Sequence, residues 1–310
     1  MTRGKPQPKW SPRFARFLPS LRQTEDDIIQ NIFMFVQDIS RPMPLLITRK
    51  KGFSVRLTGT EDAQQKALQV LDDLSEHEGR SPEEKLAHAV DTLAKGIAWE
   101  GRAQFELIPR DDGTTFFHQI TTKRLFRLIG FAVQYLNAED RKFWQSRALR
   151  WVPLSAMWHI DVPSELGGRR GYKKLLSGLK KFSNLGPRFW AMDMQHRGNS
   201  SNFDITSYAR SNNIFRFKLT HPWGWNCRDL STEHKTEFYN MYRSAAAERS
   251  NCILRTHIIS QINALLKRLE INCTIVVDGL LSVEDAQRMM CELVIGELGF
   301  KEFLDIKYGS

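Results

Sequence analysis

Residues Trp151 to Gly178 read WVPLSAMWHIDVPSELGGRRGYKKLLSG. An apolar run ends in Trp158, His159 and Ile160, and Pro163, Gly167 and Gly168 then signal a turn before the chain enters an amphipathic pattern. The order predicts a strand that delivers one imidazole to the mouth of a loop. In the helix that follows, Leu175, Leu176 and Leu179 make the buried stripe, which leaves Lys173, Lys174 and Lys180 facing water. Arg169 and Arg170 add further positive charge at the turn itself. A row of this kind neutralises phosphates when it has a ligand and is a solvated helix face when it has none.

Upstream, helices alternate with hairpins. Thr24 is placed to cap a helix carrying Ile28, Ile29, Ile32, Phe35, Val36 and Ile39, which Pro42 and Pro44 end. Strands over Pro44–Thr48 and Phe53–Thr58 read as a hairpin about a basic turn. Thr60 caps a helix with Leu68, Leu71 and Leu74 on one side. Ser81 and Glu84 have capping-box spacing around Pro82, and the helix they start buries Leu86, Val90, Leu93 and Ile97. Asp111-Asp112-Gly113 then reverses a strand over 103–108 into one over 114–120. Residues 124–136 show mixed periodicity, and 138–150 read as a projecting helix or loop.

The whole is α+β, a mixture of helices and β-hairpins. A length of 310 residues with 41% hydrophobic content suffices for one large core or two ordinary ones. No apolar run approaches the roughly 20 residues that cross a bilayer, and no signal-peptide pattern opens the chain, so the expectation is a protein with no membrane partner, located in the cytoplasm. Cys227, Cys252, Cys273 and Cys291 show no CxxC spacing, which makes them free thiols of a reducing compartment. No metal or cofactor signature is present.

The net charge of +10 is unevenly placed. Residues 1–23 form a basic, proline-punctuated arm, in which Arg13 and Arg16 accompany Trp10, Phe14 and Phe17. Such an arm either lies along nucleic acid or a neighbouring subunit, or is a solvated tail. It precedes a body over 24–184 and a C-terminal region over 185–310.

In that last region Ile214–Leu219 alternates Phe215 and Phe217 with Arg216 and Lys218, which reads as a strand with aromatics on one face and cations on the other. It leads into HPWGWNCRD, where Trp223 and Trp225 flank Gly224. This pair is either a nucleic-acid or partner-binding surface or a corner of the core. Ser231 or Thr232 starts a helix, and Leu254, Ile258, Ile262, Leu265, Leu266 and Leu269 form the longest helical stripe in the chain. A strand over Cys273–Val277, a helix from Ser282 to Gly296 or Gly299 and a strand over Phe303–Tyr308 complete the pattern.

The order of elements, with LAKGIAWEGRAQFELIPRDDG, the strand WVPLSAMWHIDVP and the turn GGRRGYKKLLSGL, resembles the N-terminal half of tailed-phage portal proteins over roughly residues 28–182. There a helix runs through a small-residue turn into a strand, here at Gly101, Arg102, Ala103 and Gln104. A later strand ends in a histidine before a glycine-containing turn, here His159 and Gly167, Gly168 and Gly171. Arg102 stands where that family commonly has a small amide, and the remainder from Phe182 does not clearly reproduce the family's stem, clip and long C-terminal region. The resemblance implies a ring-forming homo-oligomer with a DNA-facing basic surface, other phage-type structural proteins as partners, a virion location if phage-encoded, and no catalytic centre.

Two other classes stay open. His159 and Asp161, two residues apart on one strand, sit beside Glu165 and are the candidates for acid/base chemistry in a nucleic-acid-processing or phage-defence enzyme. His221, Asp229, His234 and Glu237 are a looser set of possible ligands that falls short of a metal site. The Trp223–Trp225 corner is the candidate surface of a protein-interaction module.

Overall fold

The computed structural model describes residues 30–44, 53–110, 114–120, 125–136, 141, 148–180, 214–225, 236–299 and 301–303. The arm with Arg13 and Arg16, the cap at Thr24, the hairpin strand beyond Pro44, and the boundary predicted at 184/185 lie outside them. The described chain is α+β and divides into two compact units, one within 104–159 and the other within 29–103 and 160–310.

In the larger unit, helix α1 (Gln30–Ile39) buries Phe35, Val36 and Ile39. Strand β1 (Ser54–Thr58) pairs antiparallel with β8 (Thr274–Asp278) in a two-stranded sheet, with Arg56 opposite Val276. Helix α2 (Glu61–Leu74) begins as its sequence predicts, with the Thr60 hydroxyl accepting from the Ala63 N–H. Helix α3 (Pro82–Glu100) is capped by Ser81, which accepts from the Glu84 N–H at 3.2 Å, while the Glu84 carboxylate reaches back to the Arg80 N–H at 2.8 Å. Leu86, Val90, Leu93 and Ile97 are all buried along it. These caps each contribute about 1 kcal/mol and locate the helix starts.

Helix α4 covers residues 168–180 and α5 residues 214–219. Helix α6 (Glu237–Arg268) starts at Thr236 and buries the predicted stripe through Leu254, Ile258, Ile262, Leu265 and Leu266. Helix α7 (Val283–Ile295) ends at Gly296, whose φ of 80° is the left-handed C-cap conformation. It packs Met289 and Leu293 against Met241 and Ala245 of α6. Of the predicted strand Phe303–Tyr308, only Phe303 is described, and it is helical.

The smaller unit is built from short antiparallel strands. β2 (Arg102–Pro109) and β3 (Thr115–Gln119) form the predicted hairpin, with Leu107 opposite Phe117, and β7 (Met157–Asp161) completes a sheet of order β3-β2-β7. β4 (Leu125–Arg127), β5 (Phe131–Tyr135) and β6 (Leu149–Pro153) form a second sheet in sequence order. The single strand read from Trp151 to Ile160 is thus two strands in different sheets. Pro153 and a 3₁₀ turn over Leu154–Ala156 separate them, because proline has no N–H to continue a ladder.

Charge occupies the inside of this unit. Glu106, buried on β2, accepts from both guanidinium nitrogens of Arg150, one at 2.6 Å, and the side-chain amide oxygen of buried Gln104 accepts from Arg127 at 2.8 Å. Ile120, Ala132, Val152 and Met157 supply the apolar part of the same interior. No helix among the described residues is long and apolar enough to cross a membrane.

One buried acid makes the larger unit sensitive to pH. Burial pushes the Asp91 carboxyl on α3 up to about 6, opposed by the Met43 N–H and by Arg41 and His88. The fold therefore favours the protonated form. The stability this contributes is full below about pH 4 and is lost as pH rises through about 6, a span of about 2–3 kcal/mol. Asp91→Asn keeps an acceptor for Met43 without the charge. Urea unfolding should find the variant more stable than the parent by about 2 kcal/mol at pH 8 and equal to it at pH 4; a difference that does not change with pH would contradict this.

Candidate nucleic-acid interface

The basic stretch is positioned by the end of α3. Gly101 takes φ 70° there, closing the helix through its N–H to Ile97 O at 2.7 Å, and turns the chain into β2. A Cβ at Gly101 would lie 3.2 Å from the ring of Tyr172, so glycine is needed both for the turn and for the close approach of α4. Tyr172 is fully buried, and its hydroxyl donates to Ala98 O at 2.6 Å. Burial also holds the phenol well above its ordinary range, so it remains a donor.

That anchor decides which side of α4 faces out. Tyr172, Leu175 and Leu179 are buried, and Arg170, Lys173 and Lys174 are exposed. The predicted stripe is recovered in Leu175 and Leu179, with Leu176 half-buried; Tyr172 is its missing member.

Arg102, the first residue of β2, supplies the charge that the sequence pattern conceals. It is buried and holds Asp161 in a bidentate pair, at 2.5 Å from Nε and 2.6 Å from Nη2. Arg169 approaches the same carboxylate at 4.0 Å. Arg169 lies below its ordinary pKa range, through burial first and the neighbouring Arg102 second, and burial lowers Lys173 likewise, aided by Arg169 and Arg102. Asp161 and Glu100 oppose these cations. The result is a crowded cationic face that its acids partly neutralise.

Both oxygens of Asp161 accept from Arg102. His159 is half-buried on β7. Glu165 is exposed in a 3₁₀ turn, where its own N–H and the Ser164 hydroxyl hold its carboxyl below the usual range. An acid kept ionised in this way is a poor proton donor at neutral pH.

The stretch 214–219 is helical, where its alternation predicted a strand. Six residues do not separate the two periods, and Thr220 settles the matter by donating its N–H to Arg216 O at 2.9 Å, one helical turn back. Lys218 is exposed and Arg216 half-buried. Leu219 covers Gly178, so α5 packs directly on α4. Arg216 and Lys218 therefore belong to a helix neighbouring the basic one.

The tryptophan pair is a corner of the core, not a surface for partners. Trp223 and Trp225 are 2% and 4% exposed. Both rings meet Phe35 edge-on, at 5.8 and 5.2 Å, and Trp223 lies 5.3 Å from Tyr172. The Trp225 indole N–H donates to Asp38 at 2.7 Å. Buried Arg243 of α6 donates to Trp225 O and stacks 5.5 Å over Phe217. Gly224 provides close packing here, since a Cβ would collide with the backbone of Ala246 and Ala247. Of the looser ligand set, Asp229 and His234 lie outside the described residues, and no group of three or more metal-ligating side chains occurs among those described.

No protein-family model matches the chain, and no curated protein matches it.

Asp161→Asn tests the balance of this face in two ways at once. Removing the charge leaves Arg102 buried without its ion partner, which should cost about 2 kcal/mol given Asp161's partial exposure. It also makes the face more positive, so if duplex DNA binds there its affinity at low salt should rise severalfold. Denaturant titration and fluorescence anisotropy read the two effects, and unchanged stability would show that the pair is not structural.

Proposed function

We propose that this chain is a non-enzymatic, portal-like structural protein that assembles with copies of itself into a ring and holds DNA against the cationic face of α4. The observation that carries the reading is the cluster of Arg102, Arg169 and Lys173 around one carboxylate, with Arg170 and Lys174 exposed beside it. Asp161 and Glu100 balance part of this charge, and exposed Arg170 and Lys174 leave a net positive surface for an anion to neutralise. A polyanion with regularly spaced phosphates suits a row of cations on one helix face, and such binding needs no base readout. The resemblance to portal proteins in the order of elements supplies the ring and DNA as context.

Binding of a short DNA duplex should weaken steeply with salt and show slight sequence preference. Arg170→Glu with Lys174→Glu replaces two exposed cations and should flatten the log–log salt dependence by roughly 0.9 for each phosphate no longer neutralised. An unchanged slope would remove α4 from the interface. His159→Gln should leave DNA binding intact; a cleavage activity that vanishes in this variant at unchanged Tm would place the chain among enzymes instead.

A further inference from the structure

Two arginines share one carboxylate in the cationic face, and they hold it unequally. Arg102 binds both oxygens of Asp161, at 2.5 Å from Nε and 2.6 Å from Nη2. Arg169 stands 4.0 Å away, measured from its Nε, which is beyond hydrogen-bond reach. That Nε is buried and has no hydrogen-bond partner. A buried donor without an acceptor carries the cost of desolvation with no bond in return. Asp161 is therefore a full partner for Arg102 and only an electrostatic tether for Arg169.

The ground beside Arg169 is clear. A Cβ added at Gly168, or at Gly171, would meet nothing within 4 Å. These two positions flank Arg169 in the first turn of α4, so a group from outside can come up to this turn without displacing a side chain. Lys173, one turn further along the same side of the helix, brings a second cation. The Arg169 side chain is 32% exposed and so keeps a way out to solvent, whereas that of Arg102 is 9% exposed and enclosed. All of these residues lie in the larger unit.

We propose that Arg169 is the residue that grips one phosphate of the DNA backbone, with Lys173 beside it. The inference rests on the DNA-holding reading of α4 above and deepens it from a charged surface to one directed contact. In the free protein Asp161 tethers the Arg169 guanidinium. In the complex the side chain swings off the tether, its orphaned Nε–H leaves the interior, and the planar fork donates to two oxygens of the phosphate. No hydrogen bond is lost at Asp161, because Arg102 keeps both of its oxygens bonded. Arg102 does not make this contact itself, since its Nε and Nη2 are already committed. Arg170 and Lys174, exposed on the outer side, act as point charges, for which the shape of the cation matters little.

The test separates shape from charge. Binding of a 5′-hydroxyl DNA duplex is followed by fluorescence anisotropy across a salt series for the full-length parent, Arg169→Lys and Arg170→Lys, with thermal unfolding to confirm that each is folded. Both variants keep the net charge. Arg169→Lys should lose about tenfold in affinity at every salt concentration, the scale of one charge-assisted hydrogen bond, with its log–log slope preserved. Arg170→Lys should stay within about twofold of the parent. Equal binding by the parent and Arg169→Lys would overturn the directed contact and leave the DNA reading standing on net charge. A parent that binds no duplex at low salt overturns both. A loss confined to duplex carrying 5′-phosphates would overturn the backbone contact and assign Arg169 to an end phosphate. If Arg169→Lys does not fold, Arg169→Gln and Arg170→Gln carry the same comparison, each removing one charge, and the first must lose at least about fivefold more than the second.

Discussion

A buried tyrosine organises the larger unit. The Tyr172 hydroxyl closes on a carbonyl in the last turn of α3, and its ring packs with Phe35 and Trp223. Through these contacts one side chain on α4 meets α1, α3 and the tryptophan corner. Once Tyr172 is buried, α4 has no freedom to rotate about its axis, and Arg170, Lys173 and Lys174 must face outward. Gly101 is the other half of the constraint, because any larger residue would press on the ring. The cationic face is thus a consequence of core packing.

Polar interactions are placed inside both units, and their roles differ. Arg102 and Asp161 form a partly buried pair that holds two strand ends and contributes charge to the α4 face. Arg150 and Glu106 form a more deeply buried pair that replaces apolar packing within the smaller unit. Desolvation makes such pairs a weak source of stability and a strong source of positional specificity, since removing one partner strands the other. The Arg150–Glu106 pair sits beside the apolar cluster of Ile120, Ala132, Val152 and Met157.

Much of this is legible in the sequence. The caps at Thr60 and Ser81, the hairpin of β2 and β3, the stripe of α6 and the end of α7 at Gly296 all follow local rules, because each depends on residues within a few positions of one another. The failures depend on distant partners. β1 lies against β8, more than two hundred residues away in the chain, which no local pattern specifies. The alternation at 214–219 has a period of 2, yet tertiary packing on Gly178 and Arg243 makes it a helix. The sequence leaves Trp223 and Trp225 open between a binding surface and a corner of the core, because the partners that decide for the core, Phe35 and Asp38, lie far upstream. At the basic face, Arg169, Arg170, Lys173 and Lys174 can be read directly. Arg102 cannot, since only the fold brings β2 to Asp161, although Arg102 at the start of an otherwise apolar strand is the available clue.

The central claim is that copies of this chain form a ring with the α4 face toward DNA. Single-particle electron microscopy of the purified protein, alone and with duplex DNA, tests it most directly. The account predicts closed rings whose channel is lined by Arg170, Lys173 and Lys174. Isolated monomers in both samples, or rings with α4 on their outer surface, would contradict it.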